Sequence, residues 1–174
     1  DKVYLFDKDS STPLWSYTTD ANVRSVAISA DGEYIAAVSD GDKLYLFDKD
    51  SSTPLWSYSA GACSYKHCPI SFSADGEYLA LGSNDNKVYL FDKDSSTPLW
   101  SYGAANDVIS VSISADGEYI VAGSRDNKVY LFDKDSSTPL WSYSTGGAVE
   151  DLSISADGEY IAAGSDDNKV YLFD

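Results

Sequence analysis

Short apolar runs alternate with polar, turn-forming clusters along the whole chain. Residues 23–29 (VRSVAIS), 34–39 (YIAAVS), 43–47 (KLYLF) and 55–58 (LWSY) are rich in β-branched and aromatic residues, the composition of short strands. Between them lie Ala-Asp-Gly-Glu at 30–33, Ser-Asp-Gly-Asp at 39–42 and Asp-Lys-Asp-Ser-Ser-Thr-Pro at 48–54, all built from residues that favour turns. No segment carries a sustained 3.6-residue apolar stripe, so the pattern predicts strands and no helix.

The pattern is also periodic. The stretch YLFDKDSSTPLWSY at 4–17 returns letter for letter at 45–58, 89–102 and 130–143. Leu-Phe-Asp begins at 5, 46, 90, 131 and 172, giving spacings of 41, 44, 41 and 41. A period of ~40–45 residues suits a unit of four short strands, and exceeds the ~33–34 of helical ankyrin or tetratricopeptide repeats. With the strands of one unit labelled A to D, the chain reads C-D, three times A-B-C-D, then A-B-C. A four-stranded antiparallel sheet with two apolar faces is unstable alone, so sheets must stack face to face around an axis. The expected fold is therefore all-β, a β-propeller of four-stranded antiparallel blades with about four blades in this chain, closed or part of a larger ring. The chain is expected to be one propeller domain, with units at about 1–40, 41–84, 85–125 and 126–166 and a final strand over 167–174.

Two features of the unit resemble known propeller families. Ser-Ala-Asp-Gly-Glu-Tyr followed by Ile-Ala-Ala-Gly-Ser-Asp-Asp, over 155–167, is similar to the first two strands of WD-type repeats, with Phe-Asp in place of Trp-Asp, as at Phe47-Asp48. Val-Tyr-Leu-Phe-Asp with a Trp eight residues after the Asp (Asp133 to Trp141) resembles the tryptophan-docking repeat of quinoprotein-like (PQQ-like) propellers, with Ser136-Ser137 where that motif has Thr-Gly. The resemblance covers nearly the whole chain and implies architecture. It implies no activity, because propellers host many functions.

The copies within the chain can be compared with each other. The A–B turn, Ser-Ala-Asp-Gly-Glu-Tyr, and the C–D turn, Asp-Lys-Asp-Ser-Ser-Thr-Pro, are each identical four times. The D–A connections differ strongly and the B–C turns mildly, and in an up-and-down blade these two share one face. Loops on a rigid scaffold are where binding residues usually sit. That face is expected to bind a protein or small ligand through Arg24, Tyr65, Lys66, His67, Asp107, Arg125, Glu150 and Asp151; drift in loops free of packing demands would give the same variation. The surplus C strand offers self-association through unpaired strands.

The second D–A connection carries three extra residues and the chain's only cysteines and histidine, Cys63-Ser-Tyr-Lys-His67-Cys68. A local disulfide suits an oxidising compartment and an inserted loop. Two free thiols beside a histidine, or a Cys-His-Cys metal site, are the alternatives, the last opposed by the four ligands a structural zinc requires. Asp48-Lys-Asp50-Ser-Ser52 begins like a calcium loop but lacks the later Gly and acidic ligand, and turn bonding accounts for it.

With one histidine and no Gly-rich phosphate loop, no catalytic constellation can be assembled, so no enzymatic activity is expected. A quinoprotein dehydrogenase is the less favoured reading, lacking calcium ligands and adjacent cysteines, and no cofactor is expected. A structural unit of an extracellular filament or surface layer is the alternative to a binding scaffold. The net charge of −16 disfavours nucleic acid, and no apolar run approaches the ~20 residues of a membrane-spanning helix. Acidity and the cysteine pair point to an extracellular or cell-surface location. The absence of methionine, even at position 1, suits a processed chain or a portion of a longer one.

Overall fold

A computed structural model describes residues 1–61, 63 and 68–174. Among these residues there is no helix, and seventeen strands form five antiparallel sheets in chain order. The first sheet is a hairpin of β1 (Lys2–Phe6) and β2 (Pro13–Thr18). Three four-stranded sheets follow. The first of them holds β3 (Val23–Ile28), β4 (Tyr34–Ser39), β5 (Lys43–Asp48) and β6 (Trp56–Ser59). The next holds β7 (Ile70–Phe72), β8 (Tyr78–Gly82), β9 (Lys87–Asp92) and β10 (Trp100–Gly103). The third holds β11 (Val108–Ile113), β12 (Tyr119–Ser124), β13 (Lys128–Asp133) and β14 (Trp141–Ser144). The last sheet has three strands, β15 (Val149–Ile154), β16 (Ile161–Ser165) and β17 (Lys169–Phe173). The chain thus builds propeller blades as expected, but its first and last sheets are not joined into one blade.

The core lies between sheets, in four successive junctions. In the three four-stranded sheets strand C serves two successive junctions because its side chains alternate between faces. In β5, Leu44 and Leu46 face the following sheet with Leu79 and Leu81, while Tyr45 and Phe47 face the preceding hairpin with Val3, Trp15 and Tyr17. The tryptophan of each strand D ties the junction. Trp15, Trp56 and Trp100 lie 5.3, 5.6 and 5.2 Å from the rings of Phe47, Phe91 and Phe132 in the next sheet. Each indole N–H donates at 2.7 Å to the carbonyl of Lys49, Lys93 or Lys134, just past that phenylalanine. The dock joins apolar burial to a directed bond, which sets the rotation between sheets as well as their distance.

The invariant turns are held by their own side chains. In the first A–B turn Asp31 accepts from the Ser29 hydroxyl at 2.5 Å and from the Glu33 amide at 3.0 Å, and Ser29 accepts from the Tyr34 amide at 2.9 Å. The glycine there has φ of +76°, and in later copies it also leaves room for a ring: a Cβ on Gly117 would stand 2.7 Å from Tyr78 of the preceding sheet. In the C–D turn Asp48 accepts from the Asp50 amide at 2.8 Å and Ser51 from the Thr53 amide at 3.0 Å. The Lys49 amide bonds the Glu33 carbonyl at 2.9 Å, which places A–B and C–D turns on one face. Correspondingly, Asp40 to Asn22 and Ala60 to Asp42 backbone bonds place the B–C turns with the D–A loops.

Cys63 and Cys68 are joined by a disulfide, with Cα atoms 5.8 Å apart, and both are buried in the junction of Leu46 and Leu81. Reduction should raise the mass by two protons, and pairing Cys63→Ser with Cys68→Ser should cost about 2 kcal/mol in a urea titration, the chain-entropy value for so short a loop. The indole bond has its own signature. Trp100→Phe keeps the ring but removes the donor and should cost about 1 kcal/mol, whereas Trp100→Ala should cost about 3–5 kcal/mol. Equal losses in the two variants would show that the bond contributes nothing.

Candidate binding face

The variable face is built from D–A loops and B–C turns, and its frame is one carboxylate per repeat. In the third, fourth and last sheets that carboxylate comes from the B–C turn: Asp85, Asp126 and Asp167 accept from the hydroxyls of Tyr89, Tyr130 and Tyr171 at 2.5, 2.6 and 2.6 Å. Asp126 and Asp167 also accept from the D–A loop, through the Ala105 and Gly146 amides. The second sheet has Gly41 at that turn position. There the carboxylate comes from the other loop: Asp20 accepts from Ser39 at 2.7 Å and from Tyr45 at 2.9 Å. A Cβ on Gly41 would collide with the Asp20 carboxylate, and one on Gly146 would stand 2.6 Å from that of Asp167. Wherever one loop gives the acid, the other gives a small residue: Asp20 with Gly41, then Gly61 with Asp85, Ala105 with Asp126, Gly146 with Asp167. Sequence reasoning missed this set; aligning the copies column by column exposes it as an aspartate that changes loops.

Of the residues the sequence singles out, Arg24 on β3 pairs with Asp40 of the neighbouring turn, through both Nε and an Nη. Asp107 and Arg125 form the reverse arrangement, acid in the loop and base in the turn, at 3.1 Å. Each arginine thus has an acidic partner in its own blade. Glu150 and Asp151 are exposed neighbours on β15; Asp151 accepts from Ser110 of the preceding sheet at 3.2 Å. Tyr65, Lys66 and His67 lie outside the described residues.

Several groups on this face hold shifted ionisations. Burial pushes Asp20 up, but bonds from Ser39 and Tyr45 and the charge of Lys43 outweigh it and its carboxyl lies below the usual range. The bond from the Tyr171 hydroxyl holds Asp167 down at about 2. Burial and the bond to Asp20 push Tyr45 up to about 12, and burial with Asp85 or Asp126 raises Tyr89 and Tyr130 likewise. Among the described residues no group of three or more His, Cys, Asp or Glu side chains is placed to hold a metal ion. The residues do not fit a calcium-held quinone cofactor either, since the two cysteines are five residues apart and their disulfide is buried in a junction.

The tyrosine–aspartate set makes stability depend on alkaline pH. A tyrosine whose folded pKa is raised stabilises fully below its ordinary value of 10 and loses that contribution as pH climbs towards the folded value, about 12 for Tyr45. Urea midpoints should therefore fall between pH 10 and 12, and the fall should be smaller in a Tyr89→Phe, Tyr130→Phe variant. An identical profile in that variant would assign the loss to other groups.

Comparison with known families agrees with this architecture from both ends of the chain. No curated protein sequence matches it. Residues 11–48 match the model described as WD domain, G-beta repeat. Propellers of these repeats are binding scaffolds in kind, and WD repeats generally mediate protein interaction. Residues 66–174, well over half of the 174, match the model described as outer membrane protein assembly factor BamB. By that match, and by three repeated tryptophan docks, the chain belongs to this family of PQQ-like propeller repeats.

Proposed function

We propose that the chain is a non-enzymatic binding scaffold, working at or outside the cell surface, that receives a protein with a basic surface on its variable face. The carrying observation is the contrast between the two faces. The A–B and C–D turns repeat unchanged, each closed by its own side chains, while the D–A and B–C side differs from blade to blade on the same frame. Within that face Asp40 and Asp107 bond Arg24 and Arg125, and Glu150, Asp151 and Asp166 are among the exposed charges of the described residues. A net charge of −16 would speed the approach of a cationic partner. The buried disulfide supports an oxidising location. No helix among the described residues is long and apolar enough to cross a membrane.

A structural role is the second reading, favoured by exposed apolar strand faces at both end sheets, including Tyr4, Phe6, Val170 and Leu172.

A labelled oligolysine peptide at low salt separates face from overall charge. Glu150→Lys with Asp151→Lys should weaken its binding roughly tenfold, given up to ~1 kcal/mol for each exposed charge. Glu77→Lys with Glu159→Lys makes the same charge change on the invariant face and should leave affinity within about twofold, since exposed charges act mostly within a Debye length. Equal losses from both pairs would reject the variable face as the site.

A further inference from the structure

The C–D turn, Asp-Lys-Asp-Ser-Ser-Thr-Pro, stands unchanged in four copies, and its bonds account for only part of that constancy. In the copy at 48–54, Asp48 accepts from the Asp50 amide, and Lys49 pairs with Glu33 and Asp50. Ser51 grips one residue at both ends: its hydroxyl accepts from the Thr53 amide at 3.0 Å and donates to the Thr53 carbonyl at 3.4 Å. Ser95 holds Thr97 and Ser136 holds Thr138 in the same way. The backbone of each threonine is thereby fixed, and the proline after it restricts it to extended conformations.

The threonine side chain takes no part in this. Among the described residues neither the Thr53 hydroxyl nor that of Ser52 beside it makes a hydrogen bond, and both residues are exposed. The same holds for Ser96 with Thr97 and for Ser137 with Thr138. Neither turn closure nor packing uses these hydroxyls, yet they stand unchanged while the D–A loops differ. Exposure then alternates along the outer strand: Thr53 and Leu55 face out, Pro54 is partly covered, and Trp56 turns in against Phe91. Leu55, Leu99 and Leu140 are 51%, 51% and 54% exposed, and each borders the outer strand of a complete four-stranded sheet. Each of these blades therefore presents a free threonine hydroxyl and a bare leucine on the same side of the chain, two residues apart.

We propose that this threonine is an acceptor of O-linked sugar, one site per blade, at Thr53, Thr97 and Thr138, with Thr12 as the remaining copy. A hydroxyl-rich segment with proline has the composition of O-glycosylated chains. In the transfer, threonine Oγ1 attacks the anomeric carbon of a nucleoside-diphosphate sugar. The new C–O bond replaces the bond to the diphosphate, which leaves with its electron pair, and the hydroxyl proton passes to a base of the transferase. Because the turn presents the hydroxyl already ordered, its entry into the transferase costs less conformational entropy. A neutral sugar suits the site better than a phosphate. Asp48 and Asp50 precede Thr53 in a chain of net charge −16, and Lys49 is already shared by Glu33 and Asp50, so a phosphate would add like charge with no free cation in the turn. The C–H face of a sugar instead lies over the exposed leucine and removes apolar surface from water. The sites are on the face opposite the variable loops, so the inference does not depend on what those loops bind.

The experiment is mass spectrometry of the protein taken from the cells that make it, with electron-transfer fragmentation, which leaves sugars on their side chains. Peptides running from each C–D turn into the D–A loop after it identify the copy. They should carry whole neutral sugar units on the threonine. Changing Thr12→Val, Thr53→Val, Thr97→Val and Thr138→Val together, in the same cells, should abolish the added mass and leave the circular dichroism spectrum unchanged. Ser52→Ala should retain the sugar on Thr53. Bare threonines in the unaltered protein overturn the proposal, as does phosphate in place of sugar, sugar confined to Ser52 and its counterparts, or sugar that survives the valine changes. Should the valine variant fail to fold, the fragment map of the unaltered protein decides by itself.

Discussion

The structure depends on a geometric fact about its building block: a four-stranded sheet written in this sequence is apolar on both sides. Leu44 and Leu46 look one way from β5 while Tyr45 and Phe47 look the other, and neither set tolerates water. With no helix among the described residues, further sheets of the same kind cover both faces. The tryptophan docks then limit how those sheets turn against each other. Stacking on phenylalanine alone would allow the planes to slide; the 2.7 Å bond to the lysine carbonyl removes that freedom three times over. The segment from Tyr4 to Tyr17, the longest stretch kept unchanged, holds the Leu, Phe, Lys and Trp that make these contacts.

Most of the fold was legible because the same signals occur several times. Strand bounds read from residues 34–39 and 43–47 agree with β4 and β5 to within a residue, since turn chemistry on both sides brackets them. Sharing of one face by D–A loops and B–C turns followed from counting strands, and backbone bonds such as Arg125 to Asp107 agree with it. The candidate face was less legible. Arg24 and Arg125 read as separate ligand-seeking cations because their partners, Asp40 and Asp107, stand sixteen and eighteen residues away and on opposite sides of the pair. Charge complementarity across a hairpin is a property of register, which composition does not display.

Variation on the face of D–A loops and B–C turns is thus more constrained than its sequence diversity suggests. Charge can be inverted between loop and turn, as between the Arg24–Asp40 and Asp107–Arg125 pairs, provided both members change together. Residues with no such obligation, such as Glu150, can change at least structural cost.

The aspartate that moves between loops carries a consequence for how such a chain diversifies. Because Asp20 occupies the space that Gly41 leaves, while Asp167 occupies the space beside Gly146, the Asp20 loop and the Gly41 turn can be inherited only as a pair. Moving the Asp20 loop beside Asp85, Asp126 or Asp167 would crowd two like-charged carboxylates into one niche, and moving another D–A loop beside Gly41 would leave Tyr45 without its carboxylate acceptor. The natural crossover point for recombination lies instead in the unchanging C–D segment, where any two copies are interchangeable.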